Sequence, residues 1–221
     1  MELSIDSSTR YASVCLSREG EALHEISWRA DRNHSVELAP AVTRLLGMAD
    51  AQPADLTAVF AAKGPGGFSA LRVGMSLAKS LAKALGVPLV SVGTLEIEAA
   101  PYLGRGKPVW AVLEASRKLF YAALFEPDYE GQPVEPLVVD KPTLLKTVQP
   151  PAIVCGENVA ALRTEFAKGV EAPDAQPPTR KAATLARLAY ARLARGESDD
   201  PDTLQPVYMR GSQEMVASYR P

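Results

Sequence analysis

Two residue types that build reactive centres are nearly missing from this sequence. Of 221 residues, two are cysteine (Cys15 and Cys155) and two are histidine (His24 and His34). Cysteines so few and so far apart exclude a disulfide scaffold and suit a reducing cytosol. The histidines are separated in sequence and fall on different expected elements, so they do not form a ligand pair. Charge of one sign is missing too. The formal net charge is −2, which leaves no bulk attraction to RNA, DNA or anionic lipid, while a local basic patch stays compatible with it. The opening Met1-Glu2-Leu3-Ser4-Ile5-Asp6 has neither a basic leader nor a long apolar run. Secretion and membrane spanning are therefore not expected.

What is present is an ordinary globular composition, 47% hydrophobic and 23% charged, in a chain long enough for one large domain or two small ones. The most informative stretch is Lys63-Gly64-Pro65-Gly66-Gly67-Phe68-Ser69-Ala70-Leu71-Arg72-Val73-Gly74. The apolar run Ala58 to Ala62 before it reads as a buried strand, and the amphipathic run to Leu85 after it reads as a helix. A glycine elbow between strand and helix leaves backbone N–H groups that suit an anion. It also serves as a tight turn that brings helix and sheet together. Neither common nucleotide fingerprint fits. Phe68-Ser69 stands where a Walker loop needs Gly-Lys-Ser/Thr, and Ser69 replaces the third glycine of the dinucleotide motif.

Around this elbow the chain repeats one rhythm twice. Strands are expected at Glu2–Ile5, Ala12–Ser17 and Ala22–Trp28, then a helix over Ser35–Met48 that Pro40 should kink or confine to its opening turns. A strand at Thr57–Ala61, the elbow, a helix at Ser69–Leu85 stopped by Gly86, a strand at Leu89–Val92 and a helix from Thr94 to Tyr102 complete the first half. In the second half, strands are expected at Val109–Leu113, Leu119–Phe125, Val134–Val139 and Ile153–Cys155. Helices are expected at Thr143–Thr147, Val159–Lys168 and Lys181–Arg195. The Pro- and Gly-rich stretches from Pro101 to Pro108 and Pro173 to Pro178 mark breaks. The expected division is 1–102 and 103–221, two α/β lobes facing across a cleft, with the last helix and tail free to pack back on the first. Rhythm alone makes the actin/sugar-kinase/Hsp70 architecture one candidate among several.

The motifs narrow that choice. Leu3-Ser4-Ile5-Asp6-Ser7-Ser8-Thr9, the run Ala12 to Leu16 and the elbow together resemble the TsaB (YeaZ) family. Ser91 to Glu96, Glu114-Ala115-Ser116-Arg117 and Pro206 to Arg210 fit as well. The resemblance implies a duplicated actin-like (ASKHA) fold with a mixed sheet and helices in each lobe. It implies a non-catalytic scaffold or activator in the cytoplasm that binds the related enzyme TsaD, with the ATPase TsaE. Together they would place threonylcarbamoyl on the adenosine 3′ of the anticodon in tRNAs that read codons beginning with A. It further implies that the elbow helix and the helix before it dock against the same helices of TsaD, or of a second copy when the protein is alone. Val36, Ala39, Thr43, Arg72, Met75, Lys79 and Ala82 are the expected contacts, with Met75 towards the outer side. The small residues Gly74, Ala78 and Ala82 suit close helix approach, to a partner or to the protein's own sheet. The resemblance also implies that tRNA is met through the complex alone.

The residues point away from intrinsic chemistry. TsaD carries a His-x-x-x-His metal pair, and Thr94 and Glu98 stand at the matching positions; one carboxylate is a poor transition-metal site. No metal and no catalytic residue is assigned. His34 is expected to be solvent-exposed or capping. The hairpin Asp6-Ser7-Ser8-Thr9 has no glycine through which amides would reach a phosphate, so Asp6 is expected to accept from backbone donors in the bend. No intrinsic cofactor is expected, and Gly66 and Gly67 are candidate contacts for ATP or ADP at the interface with the partner. Cys155 reads as core. Arg117, Lys118, Arg180, Lys181, Arg187, Arg192 and Arg195 read as a solvated basic face, with tRNA contact as the alternative. The competing class is a stand-alone actin-fold enzyme, kinase-like or a metal-free peptidase.

Overall fold

The computed structural model describes residues 1–115 and 118–209. In chain order the strands and helices are β1 (Glu2–Asp6), β2 (Tyr11–Arg18), β3 (Glu21–Arg29), α1 (His34–Met48), β4 (Ala58–Ala62), α2 (Phe68–Leu85), β5 (Leu89–Val92) and α3 (Thr94–Ala99). There follow β6 (Val109–Glu114), β7 (Leu119–Phe125), β8 (Leu137–Asp140), α4 (Lys141–Thr147), β9 (Ala152–Cys155), α5 (Val159–Leu162), β10 (Val170–Glu171) and α6 (Ala182–Ala194). They form two compact units. The first is Met1–Ile97 with Arg180–Val207, and the second is built on Glu98–Thr179.

In the first unit the sheet runs β3-β2-β1-β4-β5. β1 pairs antiparallel with β2 and parallel with β4, so it lies at the centre and is buried along its length. Strand alternation sends its residues to two different faces. Leu3 and Ile5 join Val14, Leu16, Leu38, Leu45, Met75 and Ala78 in a core under α1 and α2. On the other face Phe60, Val90 and Val92 pack against Leu185 and Ala189 of α6. α6 is thus a structural layer of the first unit. It is held at its start by the Glu25 carboxylate, which accepts from the Ala183 amide at 3.2 Å. Near its end Arg192 donates to the Ser91 carbonyl at 3.0 Å and to Glu96 at 2.7 Å.

Pro40 neither stops nor confines α1, which continues from His34 to Met48. The carbonyl that loses its helical donor belongs to Val36, which is 68% exposed, so the deficit falls on the solvent side. α2 ends as expected, with Gly86 in the left-handed conformation at φ 66° and its N–H bonded to the Ala82 carbonyl. Beyond α6 the chain returns along the sheet edge. Asp199 donates its N–H to the Leu89 carbonyl at 2.7 Å and accepts from the Ser91 amide at 2.6 Å. Asp202 pairs with Lys83, Leu204 packs on the core, and the Val207 N–H reaches the Lys63 carbonyl at 2.7 Å.

In the second unit the sheet runs β10-β9-β6-β7-β8. Its central strand β6 again pairs antiparallel with the next strand and parallel with the fourth. Both units therefore share one connectivity, which is the duplicated actin-like fold. The core of the second sheet is built on Trp110, Val112, Phe120, Val154 and Leu162. α5 is shorter than the helix expected over Val159–Lys168. A turn at Leu162–Glu165 and Gly169 at φ 98° redirect the chain into β10, which periodicity over two residues does not reveal. Among the described residues no helix is long and apolar enough to cross a membrane.

Candidate functional site

Three of the motifs that carry the family resemblance, the opening Leu3–Thr9, the elbow and Ser91 to Glu96, meet in the first unit, where β1 turns into β2 beneath the elbow. Asp6 closes the turn with its own side chain, accepting from the Ser8 amide at 2.8 Å. Its second oxygen accepts from Arg180 Nε at 3.0 Å, and both side chains are 2% exposed. Arg180 Nη2 also donates to Thr9 Oγ1 at 3.0 Å. A carboxylate and a guanidinium this deeply buried depend on each other, because either alone would carry an uncompensated desolvation cost. The serines are engaged as well. Ser7 Oγ donates to the Ala70 carbonyl at 2.7 Å, and the Ser8 and Thr94 hydroxyls are hydrogen-bonded to each other at 2.9 Å.

The elbow glycines serve this same junction. A Cβ at Gly66 would collide with the Ser8 carbonyl oxygen, and one at Gly74 with Ser7 Oγ. The Gly67 N–H donates to that Ser8 carbonyl at 2.8 Å. Gly64, at φ 102°, lies where a Cβ would come within 2.7 Å of the Val207 carbonyl oxygen. Hairpin, elbow and returning chain are thus locked by backbone approach.

The same packing corrects part of the expected docking surface. Met75 and Ala82 are 3% and 1% exposed and belong to the core. Met75 follows Leu71 by four residues, which puts both on the inward side of α2 with Ala78 and Ala82. The stripe of Gly74, Ala78 and Ala82 therefore packs inside the unit. Lys79 is half-buried and donates to the Leu204 carbonyl at 2.9 Å. Exposed positions remain on α1 at Val36, Ala39 and Thr43, and on the first turns of α2. There Phe68 is 52% exposed, with the Arg72 guanidinium 3.9 Å above its ring.

His34 is a second correction. It is 3% exposed as the first residue of α1, and burial holds its pKa below the ordinary histidine range against a hydrogen bond from the ring to the Thr9 backbone. The expected basic face is kept in part. Lys181 and Arg187 are exposed, as is Arg195, which pairs with Glu197, whereas Arg180 is buried and Arg192 bonds Glu96. Lys118 is exposed; Ser116, Arg117 and Arg210, parts of the quoted motifs, lie outside the described residues. Burial pushes the Cys15 thiol up to about 12 and the Cys155 thiol well above its usual value. Thr94 is spent on Ser8, and the buried Glu98 accepts from Thr179 Oγ1 at 2.8 Å. Among the described residues no three His, Cys, Asp or Glu side chains are grouped to hold a metal.

Sequence reasoning missed the buried role of Arg180. The one available signal was an arginine at the start of a helix otherwise rich in alanine and leucine, where a cation opposes the helix dipole and needs another reason to be there.

Comparison with known proteins agrees with this geometry. The family model for TsaD, tRNA N6-adenosine threonylcarbamoyltransferase, matches residues 28–167. The tRNA threonylcarbamoyladenosine biosynthesis protein TsaB of Bacillus subtilis is 34% identical over 143 residues, which is 65% of this chain and 62% of that protein. The tRNA N6-adenosine threonylcarbamoyltransferase of Ralstonia pickettii is 36% identical over 124 residues, 55% of this chain and 35% of that protein. The chain thus spans less than two thirds of the length of these relatives. A solved protein from Pseudomonas aeruginosa, described as similar to the peptidase YeaZ, matches with a TM-score of 0.77 at 25% identity, over 95% of this chain and 99% of that one. With the matched model covering more than half of its residues, the chain belongs to the family that the TsaD model defines, and within it is similar to the TsaB (YeaZ) proteins.

Proposed function

We propose that this chain is the non-catalytic subunit that binds and activates a TsaD-type threonylcarbamoyltransferase, with a TsaE-type ATPase, in making threonylcarbamoyladenosine in tRNA. The observation that carries the reading is the closed junction of hairpin and elbow. Asp6 is neutralised by Arg180, and the Ser8 carbonyl fills the space over Gly66. A phosphate-binding hairpin needs those groups free. Three of the groups that could serve as nucleophiles are also committed, Ser7 and Ser8 to hydrogen bonds and Cys155 to a buried thiol.

Docking is assigned to the outward side of α1 at Val36, Ala39 and Thr43, extended by Phe68 and Arg72 at the start of α2. The same face would serve a homodimer when the partner is absent. Any ATP or ADP contact at Gly66 and Gly67 belongs to the shared interface, tRNA is met in the assembled complex, and the setting is the cytoplasm.

Reconstitution tests the reading. The chain alone, and then with a TsaD-type enzyme, a TsaE-type ATPase, ATP and threonylcarbamoyl-adenylate, is assayed on unmodified tRNA. Product is expected from the mixture and not from the chain alone. Product without the TsaD-type enzyme would favour the stand-alone enzyme instead. Calorimetry on the isolated chain is expected to show no ATP binding in the micromolar range, about −8 kcal/mol.

A further inference from the structure

A histidine at the first position of a helix, buried, is an unusual choice. A cation there opposes the helix dipole, and a buried cation loses its hydration. α1 lacks a side-chain cap at Asn33. Its start is tied instead by the Val36 and Glu37 amides to the Asn33 carbonyl, both at 3.0 Å, by Trp28 Nε1, which donates to Glu37 Oε2 at 2.9 Å, and by the ring of His34. The ring bonds the backbone of Thr9, and Nε2 is buried without a hydrogen-bond partner. With Nε2 unpartnered, the bond to the Thr9 backbone falls to Nδ1. Thr9 is itself held through its hydroxyl by Arg180, which also holds Asp6.

We propose that His34 is an acid-operated latch on the start of α1: proton uptake at Nε2 releases the first turn of the helix from the hairpin. A proton added at Nε2 would create a buried N–H donor with no acceptor on an imidazolium at a helix N-terminus. The carboxylates that face the ring from its surroundings are Asp6 of β1, Asp31 of the preceding turn and Glu37 of α1 itself. Asp6 is already spent on Arg180, and Glu37 on Trp28. Their combined pull does not offset burial, which holds the ring neutral. The sign follows from the open state. With the folded pKa below the ordinary value near 6.5, the latch is fully engaged above that value and loosens as pH falls below it. Because Val36, Ala39 and Thr43 ride on this helix, the latch would also govern the docking face, a consequence that rests on the function proposed above.

The test uses the full chain and no partner, so its failure leaves the docking proposal untouched. Hydrogen exchange of the Val36 and Glu37 amides, the indole N–H of Trp28 and the ring of His34 are followed by NMR between pH 7.5 and 5.5. Protection at Val36 and Glu37 is expected to fall severalfold, with a ceiling of about tenfold set by an open-state imidazole titrating near 6.5. The β4 amides should keep their protection, and the ring should titrate below 6.5. In His34→Gln, which cannot take up the proton, the pH-dependent loss should vanish. The idea is overturned by a ring that titrates at or above 6.5, by unchanged protection at the helix start, by parallel loss across β4, or by persistence of the effect in His34→Gln. The wild-type comparison decides by itself if that variant does not fold.

Discussion

Replacing Arg180 with methionine is the sharpest perturbation of the junction. It leaves the Asp6 carboxylate, 2% exposed, with the Ser8 amide at 2.8 Å and no counter-charge, and it removes the bond to Thr9. Breaking a buried pair by deleting one partner costs about 3–5 kcal/mol. Against a total stability of about 5–15 kcal/mol for a domain, that is a large share. The cost should shrink when the stranded charge is removed as well. Asp6→Asn combined with Arg180→Met should be less destabilised than the two single changes added together, with a coupling of about 2–3 kcal/mol. Urea unfolding read by Trp28 fluorescence in a Trp110→Phe background isolates the first unit, since Trp28 lies in it and Trp110 in the second. A single-variant cost under about 1 kcal/mol, or an additive cycle, would refute the claim that this pair is a buried, mutually dependent unit.

Other outcomes follow from burial and exposure. Met75→Glu places a carboxylate in the core under α2 and should cost about 3–5 kcal/mol, read as a large drop in melting temperature. Val36→Glu changes an outward position and should alter stability by less than about 0.5 kcal/mol. It should nonetheless weaken association with a TsaD-type partner at least tenfold, about 1.4 kcal/mol, by titration calorimetry; unchanged affinity would remove α1 from the interface. Cys15 and Cys155 should react with a thiol reagent far more slowly in the folded protein than in urea, because burial raises both thiols and keeps reagent out.

Strand and helix order are legible in the sequence because alternation and helical periodicity are local. Leu3 and Ile5 on one face, and the run Ala58–Ala62 buried on both, mark a central pair of strands by pattern alone. The elbow is legible as a turn, and its glycines are explained by what a Cβ would strike. Long-range contacts are what local pattern does not carry. Met75 is misplaced by a stripe drawn through Gly74 and Ala78, which passes one residue to its side, whereas the sheet touches a wider face that includes it. His34 looks like a surface residue beside Asn33 and Ser35, since nothing nearby in sequence reveals Thr9 beneath it. Arg180 and Asp6 are partners across almost the whole chain, and a single sequence has no means of pairing them.

The first unit is assembled from two stretches far apart in the chain, Met1–Ile97 and Arg180–Val207, and this has a consequence for synthesis. When Ile97 leaves the ribosome, the sheet exists but the face bearing Phe60, Val90 and Val92 has no cover. Its cover, α6, is translated after the whole of Glu98–Thr179. At about 5–20 residues per second the interval to the end of the returning segment is on the order of 5–20 s, long against the folding time of a small domain. The Glu98–Thr179 part of the second unit is thus made while the first still shows half of its interior to the nascent-chain environment. Any chaperone that attends this protein during translation is expected to hold that face of the sheet and to be displaced by Leu185 and Ala189.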